Sequence, residues 1–275
     1  MSGTRFTDIR WFGSIDSTNR YLLDEARAGA PAGVVAVADH QSAGRGRLGR
    51  TWQAPPGSNL LVSVLLRPDL PSDQRHLASA VVALAAAGAV DAVLGQGRGI
   101  KWPNDLLGAD GRKVAGVLAE ADLAAPAGPV ATPGPPIVVG IGINVNWPAG
   151  DEDLPPELVG QATSLRQIAG RPVDRDAVLD AMLLGLEHRV ADLDSVAGRT
   201  RQSDDLRRRC STIGTWVRVE LADRWFEGTA TDLTPEGHLV VESATGTETV
   251  IAGDVVHVRP GGGGGGARGH TPGHE

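Results

Sequence analysis

A glycine- and arginine-rich segment, GRGRLGR, is followed within a few residues by the run APPG at positions 54–57. Gly44, Gly46 and Gly49 have the G-x-G-x-x-G spacing of a dinucleotide-binding turn. Such a turn must open a helix, because the helix N-terminus holds the pyrophosphate. The two prolines exclude that helix, and the apolar run 60–66 that follows is typical of a buried strand. The chain is therefore not predicted to form a dinucleotide-binding fold around these glycines.

Two other interpretations of the same loop need further sequence signals. A kinase-type phosphate loop requires HRD and DFG tripeptides, and neither occurs in the chain. The glycines could simply belong to a solvated surface loop. Against this, Arg45, Arg47 and Arg50 place three cations close together in an acidic protein, and arginine forks suit a polyanionic ligand. We predict a mobile cationic lid over residues 44–50 that is poorly ordered when its site is empty.

The rest of the chain alternates between short apolar runs and amphipathic segments. Helices are predicted over residues 17–29, 72–94, 173–193 and 200–209. Strands are predicted over residues 34–38, 60–66, 100–102, 113–119 and 137–145, with a hairpin-type turn at 109–112. An Ala/Pro/Gly-rich linker at 124–136 is expected to be a mobile loop.

The pattern changes after residue 214. Short alternating runs at 216–221, 225–232, 238–242 and 248–258 are split by turn residues, which predicts a small SH3-like barrel. We predict a catalytic domain over 1–210 and an SH3-like domain over 211–260. The Gly-rich segment 261–275 has no apolar content and is expected to be disordered.

Composition narrows the class of protein. The formal net charge is −7 and the pI is near 5.5, which does not suggest wholesale nucleic-acid binding. A single cysteine, Cys210, excludes an internal disulfide and fits a reducing cytoplasm. We find no apolar signal-peptide core and no uninterrupted apolar run of about 18 residues. The sequence thus predicts a soluble, cytoplasmic globular protein without a membrane span.

Seven segments then occur in a specific order. They are Ser17-Thr18-Asn19, Gln41, Gly44-Arg45-Gly46-Arg47, Trp52, KWPND at 101–105, KVAG at 113–116 and GIGINVN at 140–146. In combination they resemble the biotin protein ligases, or biotin–[acetyl-CoA-carboxylase] ligases, over almost the whole chain.

The resemblance implies an α+β fold, with a mixed sheet and flanking helices similar to class II aminoacyl-tRNA synthetases, followed by the SH3-like domain. It implies a two-step reaction in which biotin and MgATP give biotinyl-5′-AMP, and a lysine of a biotin carboxyl carrier domain then takes the biotin. The implied partners are biotin, ATP, Mg²⁺ and the carrier domain, with no DNA and no membrane. A homodimer is left open.

The resemblance also assigns the site. Catalytic roles fall to Lys113 and Arg47. The implied biotin-binding residues are Ser17, Thr18, Asn19, Gln41, Gly44, Arg45, Gly46, Lys113 and Gly116. The implied ATP-binding residues are Arg47, Arg50, Trp52, Lys101, Asn104, Asp105 and Asn144. Trp52 would stack on adenine and Gly116 would leave room for ligand, whereas no metal ligand is assigned.

Several alternatives stay open at this point. Lys113 could be a solvated hairpin lysine, Ser17 a helix N-cap, Trp102 a core residue, and Asn144 a partner of the backbone. The protein could instead be a lipoate ligase or octanoyl transferase of the same fold, or a biotin-responsive regulator without catalysis. Because the motifs begin at Ser17, we expect a ligase-only form without a helix-turn-helix domain.

Overall fold

The computed structural model describes residues 4–95, 99–122, 134–221, 223–251 and 254–257. Its first part contains a seven-stranded mixed sheet. In chain order the strands are β1 (Ile9–Phe12), β2 (Val35–Ala38), β3 (Leu60–Leu66), β4 (Gly99–Lys101), β5 (Asp105–Leu107), β6 (Lys113–Ala121) and β7 (Ile137–Ile143). They lie in the order β1-β2-β3-β7-β6-β5-β4, with β1 parallel to β2 and the other pairs antiparallel.

One face of this sheet packs on two long helices. Alternate residues of β3 and β7, such as Val62 and Ile141, point to α2 (Leu77–Leu94), which is backed by α4 (Arg175–Asp192). Helix α2 is apolar around most of its circumference because it lies between the sheet and α4. By length and composition the segment Ser72–Leu94 could cross a membrane, but 67% of it is buried inside the protein, as in the core helix of a folded domain.

The other face carries the shorter helix α1 (Thr18–Arg27). Leu22 and Ala26 of α1 pack against Leu65 and Val138 of the sheet. Helix α1 therefore covers only the end of β3 and β7 that carries these large side chains. The neighbouring part of the same face, where β6 and β7 carry glycines, remains open.

The C-terminal part is a five-stranded antiparallel sheet. Its strands are β8 (Trp216–Glu220), β9 (Trp225–Leu233), β10 (Leu239–Ser243), β11 (Gly246–Val250) and β12 (Asp254–His257), in the order β11-β10-β9-β8-β12. Alternation in β8, with Val217 and Val219 fully buried, gives the sheet one apolar face. The run 248–258, predicted as one strand, is two strands, β11 and β12, because the first pairs with β10 and the second with β8.

The KWPND segment joins the two parts. Trp102 is 2% exposed, its backbone N–H donates to Thr212 Oγ1 at 2.9 Å, and its indole N–H donates to the Gly237 carbonyl at 3.1 Å. The core role of Trp102 is thus confirmed. Nearby, Nδ1 of His76 and Nε2 of His238 both lie within hydrogen-bond distance of the Asp73 carbonyl, at 3.1 and 3.0 Å. His76 is packed against His238, with ring centroids 4.8 Å apart.

Two histidines at this junction lead us to predict that the folded protein is less stable in acid. Burial, together with the charge of Lys101, lowers the pKa of His257 to about 4, and burial lowers the pKa of His76. In the unfolded chain each would titrate near its ordinary pKa of about 6.5. The unfolded state therefore binds more protons, so the free energy of unfolding should fall as the pH drops from about 6.5 towards 4.

Denaturant unfolding across this pH range, with and without His257→Gln, tests the effect. The glutamine can still pair with the Thr212 hydroxyl, which lies 3.1 Å from Nε2 of His257. The variant should lose stability less steeply in acid than the wild type, with the remaining slope carried by His76 and other groups. Equal slopes for the two proteins would contradict the assignment to His257.

The remaining differences concern element boundaries and elements that were not predicted, and two predictions fall largely outside the described residues. The helix predicted over 72–94 begins at Leu77, because 72–74 form a separate 3₁₀ turn. The helix predicted over 200–209 begins at Val196, where Ser195 caps it, and is α5 (Val196–Arg209). Strands β1 and β5 and the short helix α3 (Leu165–Ala169) were not predicted. The predicted disordered segment 261–275 and most of the predicted mobile loop 124–136 lie outside the described residues.

Candidate active site

An open cleft lies beside α1 on the uncovered part of the sheet. The cleft is lined by Ser17, Thr18, Asn19, Gln41, Arg45, Gly46, Arg47, Trp52, Val62, Asn104, Lys113, Gly116, Val117, Leu118, Gly140, Ile141 and Gly142. Eleven of these residues are among those predicted from the sequence.

Glycines form the floor of the cleft. Gly116 of β6 and Gly142 of β7 are direct partners in the sheet, so both lie on the cleft face. A Cβ on Gly142 would be 2.5 Å from Cε2 of Trp52, and one on Gly116 would be 2.9 Å from Nζ of Lys113. The alternate glycines of the GIGIN segment therefore let a flat indole ring lie directly on the sheet backbone. The Nε1 of Trp52 is buried and has no hydrogen-bond partner among the described residues.

The N-terminus of α1 forms one wall. The Ser17 hydroxyl accepts from the Arg20 N–H, so Ser17 is the N-cap of α1 as well as a cleft residue. The N–H and hydroxyl of Thr18 both donate to Oε1 of Gln41, at 2.8 and 3.1 Å. The wall is therefore polar and tied to the segment that precedes the arginine-rich loop.

The arginine-rich loop itself is a tight hairpin over the cleft. The Gly46 N–H donates to the Arg50 carbonyl at 2.7 Å, and the Trp52 N–H donates to the Gly44 carbonyl at 3.0 Å. A Cβ on Gly44 would be 2.5 Å from the Trp52 carbonyl oxygen, so glycine is needed at this position for the two segments to approach. The structure describes this one conformation of the loop; its predicted disorder without ligand stays a prediction.

Lys113 lies at the start of β6 and faces the cleft. Its backbone is held on one side by the segment 161–163, through bonds to the Gln161 carbonyl and from the Thr163 N–H. Its Nζ is 2.7 Å from Oδ1 of Asp105 and 5.6 Å from the centroid of the Trp52 ring. Lys113 is therefore a fixed, ion-paired cleft residue rather than a solvated hairpin lysine.

The cations of the cleft all contact oxygens of the protein. Arg45 is paired with Glu120 at 3.1 Å, Nη1 of Arg47 donates to Oδ1 of Asn104 at 3.1 Å, and Lys113 is paired with Asp105. The loop arginines thus do not depend on an external anion to offset their mutual repulsion, as the sequence had suggested. Lys113, Arg45 and Arg47 lie together at the cleft, where their side chains can also meet an anionic ligand.

Five predicted residues do not line the cleft. Asp105 reaches it indirectly by pairing with Lys113. Gly44 and Arg50 form the back of the loop hairpin, and Lys101 lies in β4. Asn144 is 7% exposed, and its amide donates to the Thr163 carbonyl at 3.0 Å. The structure gives these side chains positions but does not test their predicted ligand contacts, which stay predictions.

Some cleft residues were missing from the predicted site. They are Val62, Val117, Leu118, Gly140, Ile141 and Gly142, with Glu120 at the edge. A signal was available for the glycines, because G-x-G inside an apolar strand puts both residues on one face. A Cβ on Gly140 would be 2.2 Å from Oδ1 of Asn19, so this glycine makes room for α1. Glu120 gave no local signal.

Comparison with known proteins places this mixed sheet, with its glycine-floored, cationic cleft, in a class of ligases that act on small carboxylates. Residues 11–127 match the biotin/lipoate A/B protein ligase family, and residues 212–258 match the biotin protein ligase C-terminal domain. A biotin–[acetyl-CoA-carboxylase] ligase of Mycobacterium tuberculosis is 37% identical over 94% of this chain and 91% of its own length. The chain belongs to the biotin protein ligase family.

Two further relatives support this. A bifunctional ligase/repressor of Bacillus spizizenii is 34% identical over 88% of this chain and 71% of its own length. The biotin protein ligase of Aquifex aeolicus, solved in complex with biotin and ATP, superposes with a TM-score of 0.77 at 27% identity, covering 92% of this chain and all of that one. The predicted family, fold class and enzyme class are therefore confirmed.

Proposed function

We propose that this chain joins biotin to ATP to form biotinyl-5′-AMP and then transfers the biotin to a lysine of a biotin carboxyl carrier domain. The observation that carries the proposal is the placement of Lys113 and Arg47 beside a glycine floor and a buried indole. The C-terminal match, which is specific to biotin protein ligases, favours biotin over lipoate. Biotin has a flat bicyclic head and a flexible acid tail, and the cleft offers a flat apolar floor next to cations.

Different residues of the cleft would bind different parts of the biotin molecule. The bicyclic ring would lie on the floor beside Trp52. Thr18 and Gln41 would provide polar contacts at the ring. The acid tail would then point to Lys113, which lies at the other side of the glycine pair.

In the first step a biotin carboxylate oxygen attacks the α-phosphate of ATP, and pyrophosphate leaves. Both reactants are anions, so they repel each other and charge accumulates at the α-phosphate. Lys113 and Arg47 would offset this charge with donors that are already oriented, which is the largest contribution that such a site makes. Lys113 would exchange its contact with Asp105 for the substrate oxygens.

In the second step the uncharged amine of the carrier lysine attacks the carbonyl carbon of the mixed anhydride. The carbon–oxygen bond to AMP breaks, AMP leaves as an anion, and the amine loses a proton to give an amide. The same cations would stabilise the leaving phosphate. The loop 44–50 covers the cleft and would shield the adenylate from water until the carrier domain docks.

Mg²⁺ would accompany ATP. Magnesium commonly keeps several waters and is held by phosphates together with one or two protein oxygens. Asp105, which pairs with Lys113, and the amide oxygen of Asn104, which accepts from Arg47, would be protein oxygens available to it. The ion would neutralise charge on the pyrophosphate that leaves.

Exchange of labelled pyrophosphate into ATP tests the proposal. Exchange should require biotin, should stop on addition of EDTA and should return with excess Mg²⁺. Lipoate and octanoate should not support it. With a carrier domain added, label from biotin should appear on its acceptor lysine and not on a variant with arginine there. Exchange with lipoate at the same rate as with biotin would contradict the assigned substrate.

A further inference from the structure

Glu120 lies at the far end of the cleft and contacts two of its walls. It is two residues beyond Leu118 on the cleft face of β6, opposite Val138 of β7. Its carboxylate accepts from Nδ2 of Asn19 at 2.8 Å and is paired with Arg45 at 3.1 Å. One side chain thus joins the N-terminus of α1 to the arginine-rich loop, across 101 and 75 residues of sequence.

The Asn19 side of this link is rigid. Asn19 is 5% exposed, its Oδ1 accepts from the hydroxyl of Ser63 at 2.6 Å, and its Nδ2 also donates to the Leu118 carbonyl at 3.2 Å. Ser63 is fully buried on β3 and also donates to Thr18. Because Asn19 is fixed by buried partners, it holds the carboxylate of Glu120 in one orientation.

The Arg45 side is more exposed. The Arg45 side chain is 49% exposed and that of Glu120 is 24% exposed. A pair with this exposure is weak enough to break when the loop opens, yet its geometry selects one position for the guanidinium. The loop has a second contact with the sheet part through Arg47 and Asn104. Arg45 and Arg47 therefore attach the loop to the sheet at two separate points.

We propose that Glu120 is a positioning residue for this reaction: it holds Arg45 over the cleft and thereby sets how long the adenylate is retained. The inference rests on the proposed function, because it takes biotinyl-AMP as the retained ligand. Glu120 itself would not touch the reacting atoms. Without its charge, Arg45 would lose its fixed position and the closed loop would open more often.

The test compares Glu120→Gln, Arg45→Ala and the double variant. Glu120→Gln keeps an acceptor for Asn19 but removes the charge that pairs with Arg45. We expect it to speed dissociation of biotinyl-AMP and to raise KM for biotin about twofold to fivefold, in keeping with a partly exposed charged pair. The kcat of pyrophosphate exchange should change less than about twofold by the same reasoning. The double variant should match Arg45→Ala alone.

Glu227→Gln is a matched control, because Glu227 pairs with Arg218 at 2.7 Å on the C-terminal sheet with similar exposure. It should change neither adenylate dissociation nor KM. Amide hydrogen exchange of residues 44–52 in the ligand-free protein is a second measurement that needs no activity, and Glu120→Gln should speed it. The proposal would be overturned if the effects of Glu120→Gln and Arg45→Ala multiplied in the double variant. It would also be overturned if Glu120→Gln left amide hydrogen exchange of the loop unchanged. Absence of biotin-dependent exchange in the wild type would instead reject the proposed function.

Discussion

Lys113→Ala is expected to lower the rate of biotin-dependent pyrophosphate exchange by at least about 100-fold, which is the usual effect of removing one oriented donor from a developing anion. Lys113 and Lys101 are the only lysines of the chain, and Lys113 alone of the two lines the cleft. Its loss leaves the carboxylate of Asp105 facing two incoming anions. Single-turnover formation of biotinyl-AMP, measured at saturating ATP, reports this step directly.

The fold should survive this change. The pair between Lys113 and Asp105 is partly exposed, so we expect the free energy of unfolding to change by no more than about 1 kcal/mol. Lys113→Arg keeps the charge, but its longer, planar guanidinium cannot place one donor where Nζ of Lys113 lies, 2.7 Å from Oδ1 of Asp105. We expect the arginine variant to recover only part of the rate. An alanine variant with full exchange activity would exclude Lys113 from the reaction.

Gly142→Ala is expected to have the second large effect. The added methyl group would lie 2.5 Å from Cε2 and 2.7 Å from Cζ2 of Trp52, so the indole must move off the floor and into the cleft. We expect KM for biotin to rise by at least about tenfold. We also expect a loss of stability of about 1–3 kcal/mol, as is usual when a packed site is overfilled. Exchange kinetics over a range of biotin concentrations and denaturant unfolding measure the two effects.

Two variants serve as controls for the glycine substitution. Gly88→Ala changes a glycine inside α2 where a Cβ would meet nothing within 4 Å. It should stabilise the protein by about 0.5–1 kcal/mol and leave exchange kinetics unchanged, because alanine favours a helix. In a Trp52→Ala background, Gly142→Ala should cost much less stability than it does in the wild type, because the clash with the indole is gone, whereas biotin affinity should stay low. If Gly142→Ala alone bound biotin like the wild type, the floor would not be part of the biotin site.

The two glycine-rich motifs of this enzyme look similar in the sequence, but their glycines are needed for two different structural reasons. Those of GRGRLGR let a hairpin loop close, since Gly44 lies against the backbone of Trp52. Those of GIGIN lie on alternate positions of a strand and make room for side chains of other segments, Asn19 over Gly140 and Trp52 over Gly142. In neither case does a helix N-terminus follow the glycines. The role of both sets is close packing of the walls around a ligand.

Local chemistry was enough to predict much of this protein. Prolines 55 and 56 excluded the dinucleotide-binding fold, because a prolyl ring forbids the helix that such a turn needs. Apolar runs predicted most strands, since burial on both faces leaves few polar positions. The order of the motifs was sufficient to indicate the family, which the comparisons confirmed. It also led to eleven of the residues that line the cleft.

What the sequence could not decide is which distant residues meet. The pairing of Gly116 with Gly142 depends on the register between β6 and β7, and a shift of one residue would turn both glycines to the other face. Lys101 and Asn104 are neighbours in one motif, yet only Asn104 lines the cleft, because the chain turns between β4 and β5. Glu120 meets Arg45 and Asn19 only after β6 has passed alongside the loop and α1. The tertiary structure alone decided these contacts, because they join segments that have no local signal for each other.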